Sequence, residues 1–78
     1  MGNRTIEQVG EEVLAAVREI TAERRAARVY PDHALRLEVR RRVHITDAQL
    51  TKVLRFLKKR HTLRVGRTIN DGYIRIIK

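Results

Sequence analysis

Residues 45–60, ITDAQLTKVLRFLKKR, decide the fold of this chain. Thr46 is followed three residues later by Gln49, the spacing of a capping box, in which the two side chains satisfy free backbone N–H groups at a helix start. An apolar stripe with i, i+3, i+4, i+7 spacing follows, formed by Leu50, Val53, Leu54 and Leu57. We therefore predict an amphipathic helix over residues 47–60 with one buried face.

The opposite face of this helix is basic. Projected at about 100° per residue, it carries Lys52, Arg55 and Lys59. A basic face on a lone helix is most often a solvated surface. The distribution of charge in the rest of the chain favours a binding role for this face.

Positive charge is concentrated in the C-terminal part of the chain. The formal net charge is +9, yet residues 1–30 hold five basic and five acidic residues. The whole excess therefore lies from residue 31 onward. A protein with its positive charge concentrated in this way attracts a polyanion, most commonly a nucleic acid. A basic excess that serves only solubility is the alternative.

Length and composition limit the class of protein. Seventy-eight residues predict one domain over residues 1–78 with a modest core. The absence of cysteine excludes a thiolate nucleophile and a zinc–thiolate site. No apolar run reaches the length of a membrane span and no signal segment precedes the first helix, so we expect a cytoplasmic protein, associated with the nucleoid if it is bacterial, with no membrane partner.

The chain carries no recognisable catalytic pattern. His33, His44 and His61 are widely spaced and have no carboxylate at ligand spacing, which favours surface or packing histidines. A glycine-rich phosphate loop and a serine–histidine–aspartate pattern are both missing. We expect no enzyme, no metal site and no cofactor.

A first helix is predicted over residues 6–26. Thr5 and Gln8 repeat the capping pattern, and the acidic residues come early and the arginines late, as the helix dipole prefers. Leu14 lies at the edge of the buried stripe. That stripe consists of Ile6, Val9, Val13, Ala16, Val17 and Ile20.

The middle of the chain leaves alternatives open. Residues 28–30 could form a short strand or a straight connector before Pro31. A second helix over residues 32–42 would have Pro31 in its first turn or Asp32 as its cap. Leu37 projects away from the inward face, so we expect this helix to be sandwiched between the first and the third. The inward residues are Leu35, Val39 and Val43.

Only His44 and Ile45 separate the second and third helices, which predicts a tight turn. Ile45 is placed as a hydrophobic staple against Leu50. Past residue 60 the apolar period changes from 3.6 to 2, which predicts a β-hairpin with strands over residues 62–68 and 72–77 around an Asn-Asp-Gly turn. Phe56 is expected at the edge of the core, under the hairpin. The fold class is therefore α+β and mostly α.

The element order, with TDAQLTKVLRFLKKR as third helix and LRVGRTINDGYIRI as hairpin, resembles the winged helix-turn-helix superfamily over nearly the whole chain. The resemblance implies that the third helix enters the DNA major groove and that the hairpin is a wing against the backbone. It implies helix contacts from Gln49, Lys52, Arg55 and Lys59, a phosphate held at Thr46 and the first-turn amides, and wing contacts from Arg64, Arg67 and Arg75.

Three partners remain open at this point. The first is double-stranded DNA, bound by a transcriptional regulator or a mobile-element accessory factor, which could act as a homodimer on a two-fold site. The second is an acidic protein bound by an interaction module, for which Leu14, Leu37 and Phe56 are the surfaces of interest. The third is structured RNA, bound through the same helix and wing.

Overall fold

The computed structural model describes residues 4–30, 32–60, 63–67 and 72–76. These residues form an α+β fold, mostly helical, with three helices and a three-stranded antiparallel sheet. The predicted turn at residues 69–71, the hairpin ends at 62, 68 and 77, and both Pro31 and His61 lie outside the described residues. In chain order the elements are α1 (Ile6–Ala26), β1 (Ala34–Leu35), α2 (Arg36–Val43), α3 (Asp47–Lys59), β2 (Leu63–Arg67) and β3 (Gly72–Ile76).

Both long helices begin with the predicted capping box. In α3, the Gln49 backbone N–H donates to Thr46 Oγ1 at 3.1 Å, and the Thr46 N–H donates to Gln49 Oε1 at 2.9 Å. Thr5 and Gln8 form the same pair of bonds at the start of α1. The predicted bounds of α1 are confirmed, and α3 ends one residue early, with Arg60 as its C-cap.

The short strand that was one alternative for residues 28–30 does not form, because this segment closes α1 instead. Arg28 adopts a left-handed backbone with φ 56°. Its N–H donates to the Arg25 carbonyl at 3.0 Å, and the Val29 N–H donates to the Arg24 carbonyl at 2.8 Å. These two bonds form a Schellman motif, which satisfies the last carbonyls of a helix.

The early strand lies at Ala34–Leu35 and completes the sheet, whose strand order is β1-β3-β2. Ala34 pairs with Ile74 and Leu35 with Tyr73. Helix α2 therefore begins four residues later than predicted, and Asp32 does not cap it. The Leu35 N–H donates to Glu38 Oε1 at 3.0 Å and so receives the stabilisation that a capping side chain would supply. The physical reason for the shift is that β3 needs a partner for its backbone groups along this edge.

A single apolar core lies between the helices and one face of the sheet. Leu14 belongs to it, with only 7% of its surface exposed, rather than lying at its edge. The predicted sandwich around α2 is wrong: α2 packs mainly against α1, and Leu37 is 41% exposed. Leu35, predicted on the inward face of a helix, lies in β1 and is half-buried. The other core residues include Val9, Val13, Val17, Ile20, Val39, Val43, Leu50, Val53, Leu54, Leu57, Leu63 and Ile74.

The predicted tight turn between α2 and α3 is confirmed. His44 ends α2 in a left-handed conformation, with φ 61° and ψ 50°, and its N–H donates to the Arg40 carbonyl at 2.8 Å. Ile45 and Leu50 are both buried in the core on either side of the α3 cap. This turn sets the direction in which α3 leaves the helical core.

Candidate nucleic-acid interface

A basic ridge runs along the solvent face of α3, formed by Lys52, Arg55 and Lys59. All three residues are exposed, because the apolar stripe on the opposite side of the helix fills the core. Within the described chain, none of the three forms an ion pair or a side-chain hydrogen bond. Three cations are therefore displayed on one helical face without neutralisation.

The ion pairs of the described residues lie elsewhere in the molecule. None of them involves a cation beyond Arg42. Exposed pairs of this kind add little stability, but they remove local positive field. The pairs are Arg4–Glu12, Arg24–Glu38, Arg25–Asp32, Arg36–Asp47, Arg40–Asp47, Arg42–Glu19 and Arg42–Glu23.

The first turn of α3 carries a negative charge, Asp47, which forms ion pairs with arginines of α2. Arg36 Nη2 donates to Asp47 Oδ1 at 2.9 Å and to Thr51 Oγ1 at 2.9 Å. Arg40 Nη1 lies 3.7 Å from the same carboxylate oxygen. The hydrogen bond from Arg36 is the main reason that the pKa of Asp47 lies below its ordinary value. The carboxylate is therefore ionised at neutral pH beside the basic ridge.

Arg36 also connects this network to the hairpin. A Cβ atom on Gly72 would lie 2.6 Å from Arg36 Cδ, so the aliphatic stem of Arg36 passes directly over the start of β3. The Arg36 side chain is 21% exposed. One residue thus joins α2, the first turns of α3 and the turn end of the hairpin. No sequence signal marks Arg36 for this role, which depends on contacts across 36 positions of the chain.

Two of the predicted contacts, Thr46 and Gln49, are occupied by the cap of α3. The Thr46 hydroxyl accepts from the Gln49 N–H, and Gln49 Oε1 accepts from the Thr46 N–H. A glutamine that reads adenine uses both its amide oxygen and its amide nitrogen. Gln49 would have to release its capping bond to do so.

The structure describes the side chains of two hairpin arginines, Arg64 and Arg75. Arg64 and Arg75 face each other across β2 and β3, on the sheet face opposite the buried Leu63 and Ile74, and both are exposed. Arg75 lines a cavity with residues of α1 and not with the basic ridge. Arg67 ends β2, and its side chain lies outside what the structure describes.

Phe56 lies at the edge of the core, as predicted, at the contact of α3 with α1. An added Cβ on Gly10 would lie 3.7 Å from Phe56 Cε2, and the Arg60 guanidinium carbon lies 5.4 Å from the centre of the phenylalanine ring. The ring therefore supports a cation–π contact at the C-terminal end of α3.

Of the two histidines that the structure describes, His33 packs against a ring and His44 is exposed at the end of α2. The ring of His33 stacks on Tyr73, with ring centres 4.2 Å apart, and His44 ends α2. The part of the chain that the structure describes contains no cluster of three or more histidine or acidic side chains that could hold a metal ion. Nor does any of its helices have both the length and the apolar character needed to cross a membrane.

Comparison with known proteins adds no relative to this picture. No protein-family model matches the chain, and no curated protein or solved structure shows significant similarity to it.

Proposed function

We propose that this chain is a winged helix-turn-helix protein that binds double-stranded DNA. The element order of α1, β1, α2, α3 and a β2–β3 hairpin supports this proposal, together with the tight turn at His44 and Ile45. In the proposed complex, α3 lies in the major groove and the hairpin lies along the phosphate backbone.

One observation carries the proposal: the basic ridge of α3 is exposed and forms no ion pair within the described chain, whereas Asp47, the acidic residue of α3, is bound by Arg36 of α2. Lys52, Arg55 and Lys59 can neutralise backbone phosphates, and an arginine can also address guanine edges. Arg64, exposed on the hairpin, supplies a wing contact. Binding would then be dominated by phosphate neutralisation, with limited base readout.

Affinity for DNA should therefore depend steeply on salt. Titration of the full chain into a labelled mixed-sequence duplex, at several salt concentrations, should give a linear fall of log affinity with log salt. The double variant Lys52→Gln, Arg55→Gln should weaken binding at every salt concentration and reduce the slope by about two, about one for each lost phosphate contact.

A matched control carries the same loss of charge away from the ridge. Arg28 and Arg41 are exposed arginines outside α3, and neither forms an ion pair with another described residue. The double variant Arg28→Gln, Arg41→Gln should retain most of the slope. Absence of duplex binding at low salt would end the proposal, and so would equal weakening by the ridge and control variants.

Specific recognition by one module requires additional contacts, because a single helix reaches only a few base edges. We propose a homodimer on a two-fold site as the form that acts in transcription or in the biology of a mobile element. Sedimentation of the complex with a palindromic duplex would measure the number of chains bound. A complex with one chain per site would contradict the dimer while leaving DNA binding intact.

An interaction module for an acidic protein is the second candidate, and one specific observation favours it. Leu37 is 41% exposed on α2, and Val29 and Tyr30 are 46% and 69% exposed after α1. The other two residues expected on such a surface do not support it, since Leu14 is buried and Phe56 packs against the core. Structured RNA remains a competitor for the ridge, and competition of RNA against the labelled duplex would distinguish the two nucleic acids.

A further inference from the structure

A cavity of about 270 Å³ lies between the C-terminal half of α1 and β3. Its wall contains no residue of α3, so it is separate from the basic ridge. The lining residues are Arg18, Thr21, Ala22, Arg25, Asp32 and Arg75. Three arginines and one threonine thus line the same recess.

The one carboxylate in this cavity is already engaged. Arg25 Nε donates to Asp32 Oδ2 at 2.5 Å, and the Asp32 side chain is only 16% exposed. Hydrogen bonding to Arg25, with a smaller contribution from the charge of Arg75, holds the pKa of Asp32 below its ordinary value. Arg25 and Asp32 therefore neutralise each other on the wall of the cavity.

The charges of Arg18 and Arg75 are less fully compensated than that of Arg25, although the charge of Arg75 acts on Asp32 at longer range. Neither forms an ion pair with another described residue, and Arg75 faces Arg64 directly across the sheet. Like charges directly opposite one another on neighbouring strands repel. An anion held beside Arg75 would relieve this repulsion.

We propose that this cavity binds the doubly charged phosphate group of a small molecule. Arginine forks match the geometry of phosphate oxygens, and Thr21, which is half-buried on the wall, can donate its hydroxyl to a third oxygen. The volume lies just below the range of about 300–1,000 Å³ typical of small-molecule sites, so the ligand is a phosphate with a small organic group. A DNA duplex presents its phosphates on a convex surface and does not need a recess.

The test uses the ¹⁵N-labelled full chain and inorganic phosphate at constant ionic strength, with chloride as the competing salt. Phosphate should move the backbone amide signals of Thr21, Ala22 and Arg75 to saturation, whereas chloride should not. Shifts that rise without saturation, or that spread over all basic residues, would overturn the proposal, because they would indicate general screening.

Variants separate this site from general charge effects. Arg18→Gln and Arg75→Gln should each weaken phosphate binding about tenfold, the size expected for one charge-assisted hydrogen bond. Arg18→Lys, which keeps the charge without the fork, should give a smaller loss. Arg41→Gln, with the same loss of charge on α2, should bind phosphate as the parent chain does. Equal losses in Arg41→Gln and Arg75→Gln would overturn the proposal.

A second arm separates the two sources of phosphate. The same variants are titrated with duplex DNA, and Arg18→Gln should lose far less duplex affinity than phosphate affinity. If it lost equal amounts of both, the cavity would hold a nucleic-acid backbone phosphate, and the small-molecule assignment would be overturned. A chain that bound phosphate here but no DNA would contradict only the proposed DNA-binding function.

Discussion

Arg36 Nη2 donates to Asp47 Oδ1 at 2.9 Å, and this bond places an arginine of α2 against the first turn of α3. Because the same guanidinium reaches Thr51 and the arginine stem covers Gly72, Arg36 joins α2 to the first turns of α3 and to the start of β3. It also presents a carboxylate to any polyanion that approaches α3. In the proposed complex with DNA, Asp47 would oppose binding electrostatically and compete with phosphates for Arg36.

Removing this carboxylate should strengthen DNA binding. We expect Asp47→Asn to raise affinity for a mixed-sequence duplex about three- to tenfold at low salt, because a repulsive charge is lost and Arg36 and Arg40 become available to phosphates. Anisotropy titrations at two salt concentrations would measure the change. Glu11→Gln, an equal change of charge at an exposed position of α1, is the control, and an equal gain in that variant would show that the effect is not local.

Stability should decrease at acidic pH because three carboxyl groups have lowered pKa values. Since their pKa is lower in the folded chain, folding gains stability above the unfolded value of about 4, and this gain is lost as the pH falls through the folded values. The melting temperature should change little between about pH 7 and pH 5 and fall below about pH 4. A melting temperature that rose on acidification would contradict this. The main cause in each case is a hydrogen bond from an arginine: Arg42 for Glu23, Arg25 for Asp32 and Arg36 for Asp47.

The left-handed conformation of His44 should make this position sensitive to side-chain shape. Glycine adopts φ near 61° without strain, whereas a β-branched side chain clashes with the backbone there. We expect His44→Gly to raise the free energy of unfolding by about 0.5–1 kcal/mol and His44→Val to lower it by about 1–2 kcal/mol. Urea denaturation of both variants would test this. A more stable His44→Val variant would show that the turn adopts another conformation.

Gly10 should be a site of easy stabilisation. It lies inside α1, where glycine costs about 0.5–1 kcal/mol relative to alanine. An added Cβ would lie 3.4 Å from Leu57 Cδ2 and 3.7 Å from Phe56 Cε2, which is ordinary contact. Gly10→Ala should therefore raise the free energy of unfolding by about that amount, as measured by urea denaturation. Gly10→Leu should lower it by about 1–3 kcal/mol, because the larger side chain would overpack the α1–α3 contact.

The local signals of the sequence predicted the two long helices and the hairpin strands well. A capping box joins residues three positions apart, and an amphipathic stripe repeats within two turns. The pattern of Thr46, Gln49 and the leucines of α3 therefore predicts the helix from one short segment of sequence. The exposure of Lys52, Arg55 and Lys59 follows from the same periodicity. Their role in binding DNA stays a prediction.

Contacts between distant segments of the chain were decided by the tertiary structure alone. The strand lies at Ala34–Leu35 and not at residues 28–30 because these two residues pair with β3, about 40 residues later in the chain. A strand of two residues is too short to show a period in the sequence, so it could not be predicted locally. Leu37 is exposed because α2 packs mainly against α1, and α3 does not cover the opposite side of α2. Likewise, the contact of Arg36 with Asp47 and the position of Arg75 beside residues of α1 depend on how the elements pack together. The local pattern of the sequence does not show which distant residues a side chain will contact.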